Sequence, residues 1–461
     1  MPQARISMTL LAGVIAAAAS SAFAATDAKE PSLARHQPEI DKIVSEISPQ
    51  RIEGYIKKLV SFGTRHTMSD ATSETRGIGA ARRWIKSELE RCGAGTRMQV
   101  AFDGYTDEGG PKTRISKPTE VVDVVATLPG TQAESKDRMY VVSGHYDSRV
   151  TDVMNATDDA PGANDDASGT AAVIEMACVM AKHNFDATLV FMTVAGEEQG
   201  LLGSKHYADE AKKNGWNIAG MFDNDIIGSS HADDGHKDDS QVRLFAQGVP
   251  PTKEMSDANR TLVVTGGEND SITRQLARHT KEQGERYVKG FKVNVIYRTD
   301  RYLRGGDHSP FLANGYAAVR FTEPNENFDH QHQDLRTESG KVYGDLAQFD
   351  DFNYIAKVTR VNAAGLASLA LAPAVPRNVA ARTDKLENDT TLVWEPNKEP
   401  DLAGYRIVWR ETTAPFWQGS KYVGNVTEAS LKLSKDNYFF GVQAVDKDGN
   451  VSPATYPLPK R

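Results

Sequence analysis

Cysteine is scarce: Cys92 and Cys178 are the only two in 461 residues, too few for a disulfide-rich scaffold or an all-thiolate metal site. Clusters of basic residues are missing too. The 54 Lys and Arg against 62 Asp and Glu leave a formal charge of −8. That argues against a nucleic-acid partner, because phosphate binding needs grouped cations. Long hydrophobic runs are also absent. The longest apolar stretch, Met8 to Ala19, falls short of the ~20 residues that span a bilayer, so stable membrane insertion is not expected. What is present, 39% hydrophobic and 25% charged residues, is the balance of a globular chain rather than a disordered one.

The Met8–Ala19 run follows Arg5 and precedes Ala22-Phe23-Ala24, a small-x-small cleavage pattern. Residues 1–24 are therefore expected to be a signal peptide with Ala25 as the mature start, which makes the protein secreted or periplasmic. A second boundary falls near Pro373 and Pro376, dividing residues 25–372 from residues 375–459. Beyond it, short strand patterns at Thr391–Trp394, Tyr405–Trp409 and Tyr438–Val445 alternate with turn signals, which suggests a small all-β sandwich. This stretch resembles a fibronectin type III module, with Trp394 in the place of the core tryptophan and Tyr438 in that of the corner tyrosine. It carries no visible chemistry. The resemblance implies a spacer, or a module that contacts a surface or polymer.

Residues 120–372 alternate apolar runs with helical patterns, as in an α/β sheet. Four runs end in polar residues: Met139–Gly144 before His145 and Asp147, Thr188–Ala195 before Glu197 and Glu198, Ile218–Phe222 before Asp223 and Asp225, and Tyr316–Phe321 before Glu323, His330 and His332. In open α/β sheets, sites form at the carboxyl ends of strands. Carboxylates gathered there would repel one another unless a cation joins them. Asp165, Asp166 and Ser168 open an all-round apolar helix and could simply cap it, but with His145 upstream and Glu198 downstream, metal ligation is the stronger reading. Histidine and carboxylate donors without thiolate suit zinc, with manganese or cobalt as substitutes. There are too many ligands for one tetrahedral ion. Two ions bridged by one carboxylate would use them, leaving one of the adjacent glutamates free to move a proton.

The ordered set Gly144-His145-Tyr146-Asp147-Ser148, Pro161 to Thr170, Gly196-Glu197-Glu198 to Ser204, Asn224-Asp225 to Gly228 and Gly306-Asp307-His308 to Phe311 resembles the motifs of the co-catalytic di-zinc aminopeptidases of metallopeptidase family twenty-eight. The resemblance implies a three-layer α/β zinc-exopeptidase fold with a central mixed, mostly parallel sheet, followed by the sandwich. It implies two Zn2+ ions bridged by Asp165, with His145 and Asp225 on one and Glu198 and a late histidine on the other. Glu197 would be the general base, and Asp147 would orient His145. The substrate would be the N-terminus of a peptide or protein. The last histidine departs from the family's His-x-x-x-Asp spacing. His330 fits the distance to Asp334 and is preferred, although His332 competes.

Asp307 and His308 read as supporting residues, and Asp223 as a bystander. His183, His206, His231 and His236 are expected on surfaces. Ser229–Asp270 reads as an insertion or surface loop, and a Cys92–Cys178 disulfide stays open. A glutaminyl cyclase, a carboxypeptidase or dipeptidase of the same fold, and a non-catalytic adhesion ectodomain are the competing readings.

Overall fold

The uninterrupted apolar runs become strands covered on both faces. The computed structural model describes residues 36–250 and 255–460, so the expected leader at 1–24 and the mature start at Ala25 lie outside the described residues. Eight strands form the main sheet: β1 (Gln99–Asp107), β2 (Thr119–Leu128), β3 (Arg138–His145), β4 (Thr188–Val194), β5 (Asn217–Asn224), β6 (Gln241–Ala246), β7 (Lys292–Ile296) and β8 (Ala318–Thr322). Their spatial order is β1-β2-β4-β3-β5-β8-β6-β7. The central strands β4, β3, β5 and β8 run parallel, whereas β2 meets β4, and β6 meets β8, antiparallel. The carboxyl ends of all four central strands therefore share one edge of the sheet.

Alternation sorts the side chains between two cores. Tyr140 and Val142 of β3 join the larger one, while Val141 joins the smaller. The larger core is built with α1 (Pro38–Glu46), α2 (Pro49–Val60), α3 (Gly77–Gly93), α4 (Ser168–Met180), α7 (Ile272–Tyr287) and α9 (Phe352–Leu371). On the other face lie α5 (Leu202–Asn214) and α8 (His308–Ala313), while α6 (Asp257–Val264) buries none of its residues. Every residue of α4 is buried, as a helix apolar all round must be. Cys92 at the end of α3 is disulfide-bonded to Cys178 in α4. Among the described residues no helix is long and apolar enough to cross a membrane.

Two expectations need correction. Ser229–Asp270 is not a mere insertion, because it contains β6, whose buried Val242 and Leu244 alternate with half-buried neighbours inside the main sheet. Four residues of alternation within a polar stretch are too short a signal to stand out. His183 is not on the surface: its side chain is buried, and Nδ1 lies 2.5 Å from Glu39 Oε1. His206 is half-buried and stacked on Tyr105, and His231 and His236 are exposed.

A short hairpin, β9 (Arg336–Glu338) and β10 (Lys341–Tyr343), follows the late histidines. After α9 the chain forms two small sheets. One is ordered β15-β12-β11-β17, from β11 (Arg377–Arg382), β12 (Thr390–Glu395), β15 (Glu428–Leu431) and β17 (Leu458–Lys460). The other is ordered β14-β13-β16, from β13 (Leu402–Glu411), β14 (Gly419–Gly424) and β16 (Tyr438–Asp446). Trp394 sits in their shared core, 5.2 Å from the ring of Tyr405. The hydroxyl of Tyr405 accepts the backbone N–H of Asn397 at 2.6 Å, while Tyr438 begins β16 half-buried.

This unit is fixed to the main sheet through buried charge. Asp270 contacts Arg278 at 2.7 Å on its own side and Arg410 of β13 at 2.6 Å. Arg138, at the start of β3, faces Glu399 at 3.6 Å. A cavity of about 430 Å³ lies along the seam, walled by Arg138, Ile218 and Ala317 on one side and Val375 and Tyr456 on the other. The sandwich thus sits at the amino edge of the parallel strands.

Candidate metal centre

At the opposite edge, β3 ends in His145 and β5 is followed by Asp225. The turn after β4 carries Glu197 and Glu198, and the loop before α4 carries Asp165. The ligand atoms form two triads, His145/Asp165/Asp225 and Asp165/Glu198/His332, each with its atoms within 4.8 Å of one another. Asp165 belongs to both. Its Oδ1 is 3.1 Å from His145 Nε2 and its Oδ2 is 2.8 Å from His332 Nε2. His332 Nε2 is also 2.8 Å from Glu198 Oε1, and Asp225 Oδ1 is 3.9 Å from His145 Nε2.

Three of these buried atoms, His145 Nε2, Glu198 Oε1 and Asp225 Oδ1, make no well-aligned hydrogen bond, only contacts within the cluster. Orphaned buried polar atoms are costly unless something joins them. Burial works against a charged imidazole at His332, but the carboxylates of Glu198 and Asp165 outweigh it and hold its pKa at about 10. At His145, burial is likewise overcome by Asp147, Asp165 and Asp225, which push the pKa up. The cluster thus draws positive charge to one place. A set of imidazole and carboxylate donors with these orphaned atoms fits zinc.

The supporting residues divide the work. Asp147 lies behind His145, with Oδ1 3.5 Å from Nδ1 and its backbone carbonyl 3.2 Å away. The same carboxylate accepts the backbone N–H groups of Glu197 at 3.3 Å and Glu198 at 3.2 Å. The two aspartates of the pair face different partners. Asp165 faces the triads, while Asp166 caps α4 through Gly169 N at 2.9 Å and accepts His145 N at 2.9 Å. Glu197 lines a cavity together with Asp165, Glu198, Asp225 and His332, yet belongs to neither triad. Burial, with Asp225, Glu198 and Asp165 nearby, pushes its carboxyl well above the usual range.

The preference for His330 is overturned. Its ring stacks on Phe349 at 3.7 Å and 12°, facing a different cavity that Ser229 and Asp350 also line. Asp334, the residue that recommended it by spacing, accepts Thr151 N instead. His332 reaches the cluster from a left-handed backbone, φ 56°. Asp223 and His308 pair with each other at 3.2 Å, outside both triads. Asp307 is buried outside them as well.

Three contributors escaped sequence reasoning. Arg320, fully buried in β8, places Nη2 2.8 Å from Asp225 Oδ2 and Nη1 2.7 Å from Asp300 Oδ2. Its signal was available: a lone arginine inside an apolar strand demands a buried partner. Asp345 accepts the backbone N–H groups of Asn164 and Asp165 at 2.8 and 2.7 Å, and burial raises its carboxyl to about 7. Gln331 donates to Asp165 Oδ2 at 3.2 Å. Nothing local in the sequence marks the last two.

The profile of Peptidase family M28 matches residues 123–347, a span that contains every triad residue. A probable zinc metalloprotease of Leptosphaeria maculans is 51% identical over 425 residues, covering 92% of this chain and 97% of its own. A probable zinc metalloprotease of Pyrenophora tritici-repentis is 50% identical over 422 residues, 91% of this chain and 87% of its own. Among solved structures, the LapA aminopeptidase of Legionella pneumophila superposes with a TM-score of 0.51 at 18% identity, over 73% of this chain and 75% of LapA. That likeness concerns the fold.

Proposed function

The chain belongs to peptidase family M28, and from that premise we propose that it is an exported, zinc-dependent exopeptidase that releases N-terminal residues from peptides. The observation that carries this is the sharing of Asp165 between two ligand triads. In the proposed site His145 and Asp225 would hold one zinc and Glu198 and His332 the other, with Asp165 available to both. Bound ions would supply Lewis acidity toward the scissile carbonyl and acidify a water.

The chain's own residues do the rest. Glu197, outside both triads, takes the proton from the attacking water on its carboxylate and returns it to the departing amine. A carboxyl pushed up by burial and by neighbouring carboxylates, then lowered by cations, suits both directions of transfer. Asp147 holds His145 and the two glutamates in register. The paired triads favour a two-ion hydrolase over a one-ion cyclase, and they weigh against an adhesion ectodomain without chemistry. Export is supported by the leader pattern at 1–24 and by the Cys92–Cys178 disulfide, which suits an oxidising compartment. The fibronectin type III-like reading of 375–459 is supported by its two packed sheets around Trp394.

The test is metal content and turnover together. The purified protein should hold two zinc ions and cleave amino-acid anilides. Glu197→Gln should lower kcat by about 10²–10⁴-fold with both ions retained. Loss of metal in that variant would overturn the role given to Glu197, and a single ion in the wild type would overturn the bridge.

A further inference from the structure

The candidate metal centre opens into a cavity of about 600 Å³ whose wall is rich in arginine. Arg114 comes from the β1–β2 connection, Arg149 from the loop after β3, and Arg301 and Arg304 from the segment before α8. Arg114 and Arg149 bond chiefly to backbone carbonyls. Arg114 Nη1 donates to the carbonyl of Glu198 at 2.8 Å, and Arg149 donates to the carbonyls of Val150 and Thr151 at 3.0 and 3.1 Å. Carbonyl oxygens satisfy N–H groups without neutralising a guanidinium. The carboxylate nearest Arg149 is that of Glu198, 3.9 Å away, and Glu198 belongs to a triad.

On the far wall, Arg301 and Arg304 share Glu326 Oε2 at 3.0 and 2.9 Å, and Arg243 holds Oε1 at 3.0 Å. Three guanidiniums therefore meet one carboxylate. Asp300, which Arg301 also touches at 3.1 Å, is already paired with Arg320. A guanidinium presents a planar fork that matches a carboxylate, and in a concave, partly desolvated site such pairs are stronger than on an open surface. Arg304, with its side chain 37% exposed, and the exposed Arg114 stand at the open side, where an incoming peptide passes.

We propose that these arginines select substrates with a carboxylate on the residue after the cleaved bond. That group is either the α-carboxylate of a dipeptide or an acidic side chain in a longer peptide. The proposal rests on the exopeptidase reading above, and its test separates the two.

Zinc-loaded Glu197→Gln protein, slowed in turnover, is titrated calorimetrically with four probes. These are leucyl-alanine, leucyl-alaninamide, and the α-amides of leucyl-aspartic acid and leucyl-asparagine. The expected result is binding at least about tenfold tighter for leucyl-alanine than for its amide, if the α-carboxylate is read. If the side chain is read, the same preference separates the aspartyl from the asparaginyl probe. Introducing Arg114→Gln or Arg304→Gln should shrink the preferred ratio at least about threefold. Ratios near one for both pairs, ratios unmoved by both substitutions, or no binding of any probe would overturn the proposal. Turnover of leucyl-alanine by the wild-type enzyme is measured alongside. A protein that binds with the charge preference but cleaves nothing refutes the exopeptidase reading and leaves the arginine subsite standing.

Discussion

Asp147 accepts the backbone N–H of Glu198 at 3.2 Å while its own carboxylate stands 3.5 Å from the Nδ1 of His145. One side chain thus positions a donor from each triad. Asp147→Asn would keep the shape and lose the charge, and should weaken zinc binding about 10–100-fold with a parallel loss in kcat/KM. Zinc competition with a chromophoric chelator measures this. An unchanged affinity would show that Asp147 is packing alone.

The late histidines give a sharper contrast. His332→Ala should remove one of the two proposed zinc ions and abolish peptidase activity, whereas His330→Ala should retain both, because its ring packs on Phe349. Since His332 is held protonated up to about 10, zinc must displace that proton near neutral pH. Zinc affinity should therefore rise with pH across the neutral range, and calorimetry in buffers of differing ionisation heat should record proton release. The release should shrink in His332→Ala, with His145, whose pKa is also pushed up, accounting for what is left.

Arg320 bonds to Asp225, a member of the His145/Asp165/Asp225 triad. With its two ends on Asp225 and Asp300, removal by Arg320→Met leaves two buried carboxylates short of a partner, at a cost of about 3–5 kcal/mol in urea unfolding. Arg320→Lys keeps the charge without the fork. It should weaken the ion bound by His145 and Asp225 about tenfold and leave the other unchanged. Equal loss of both ions would assign Arg320 to stability only.

The seam between the units should be sensitive to acid in an unusual direction. Burial, reinforced by Asp401 and Asp446, raises Asp186 to about 6, and burial with Asp401 and Asp448 does the same for Asp446. A carboxyl raised in the folded state binds more protons folded than unfolded, so unfolding free energy falls as pH rises between ~4 and about 6. This contribution is full below that window and gone above it. Asp186→Asn should flatten the fall in Tm across the window by ~2 °C. Thermal melts of both proteins from acid to neutral pH test it; parallel curves would refute it.

The site was legible where the chain is regular. His145 ends a strand of the parallel centre and Glu198 and Asp225 follow two others, and such strands deliver their ends to one edge whatever their order in sequence. The late histidine was not legible, because the choice depends on Phe349 and on the φ of 56° at His332, neither of which any spacing rule contains. Asp345 and Gln331 were hidden for the same reason, since their partners lie well over a hundred positions away. Within the fold, β6 was missed because its alternation is short and its surroundings polar.

The sandwich is clamped to the amino edge by Asp270, Arg278 and Arg410, and the metal centre opens at the carboxyl edge. The two ends of the molecule therefore point in opposite directions. If the sandwich holds the enzyme to a wall or a polymer, the mouth of the cavity is turned outward, toward whatever drifts past. A peptidase built this way would work as a sentry on what diffuses to it, leaving its own anchorage beyond its reach.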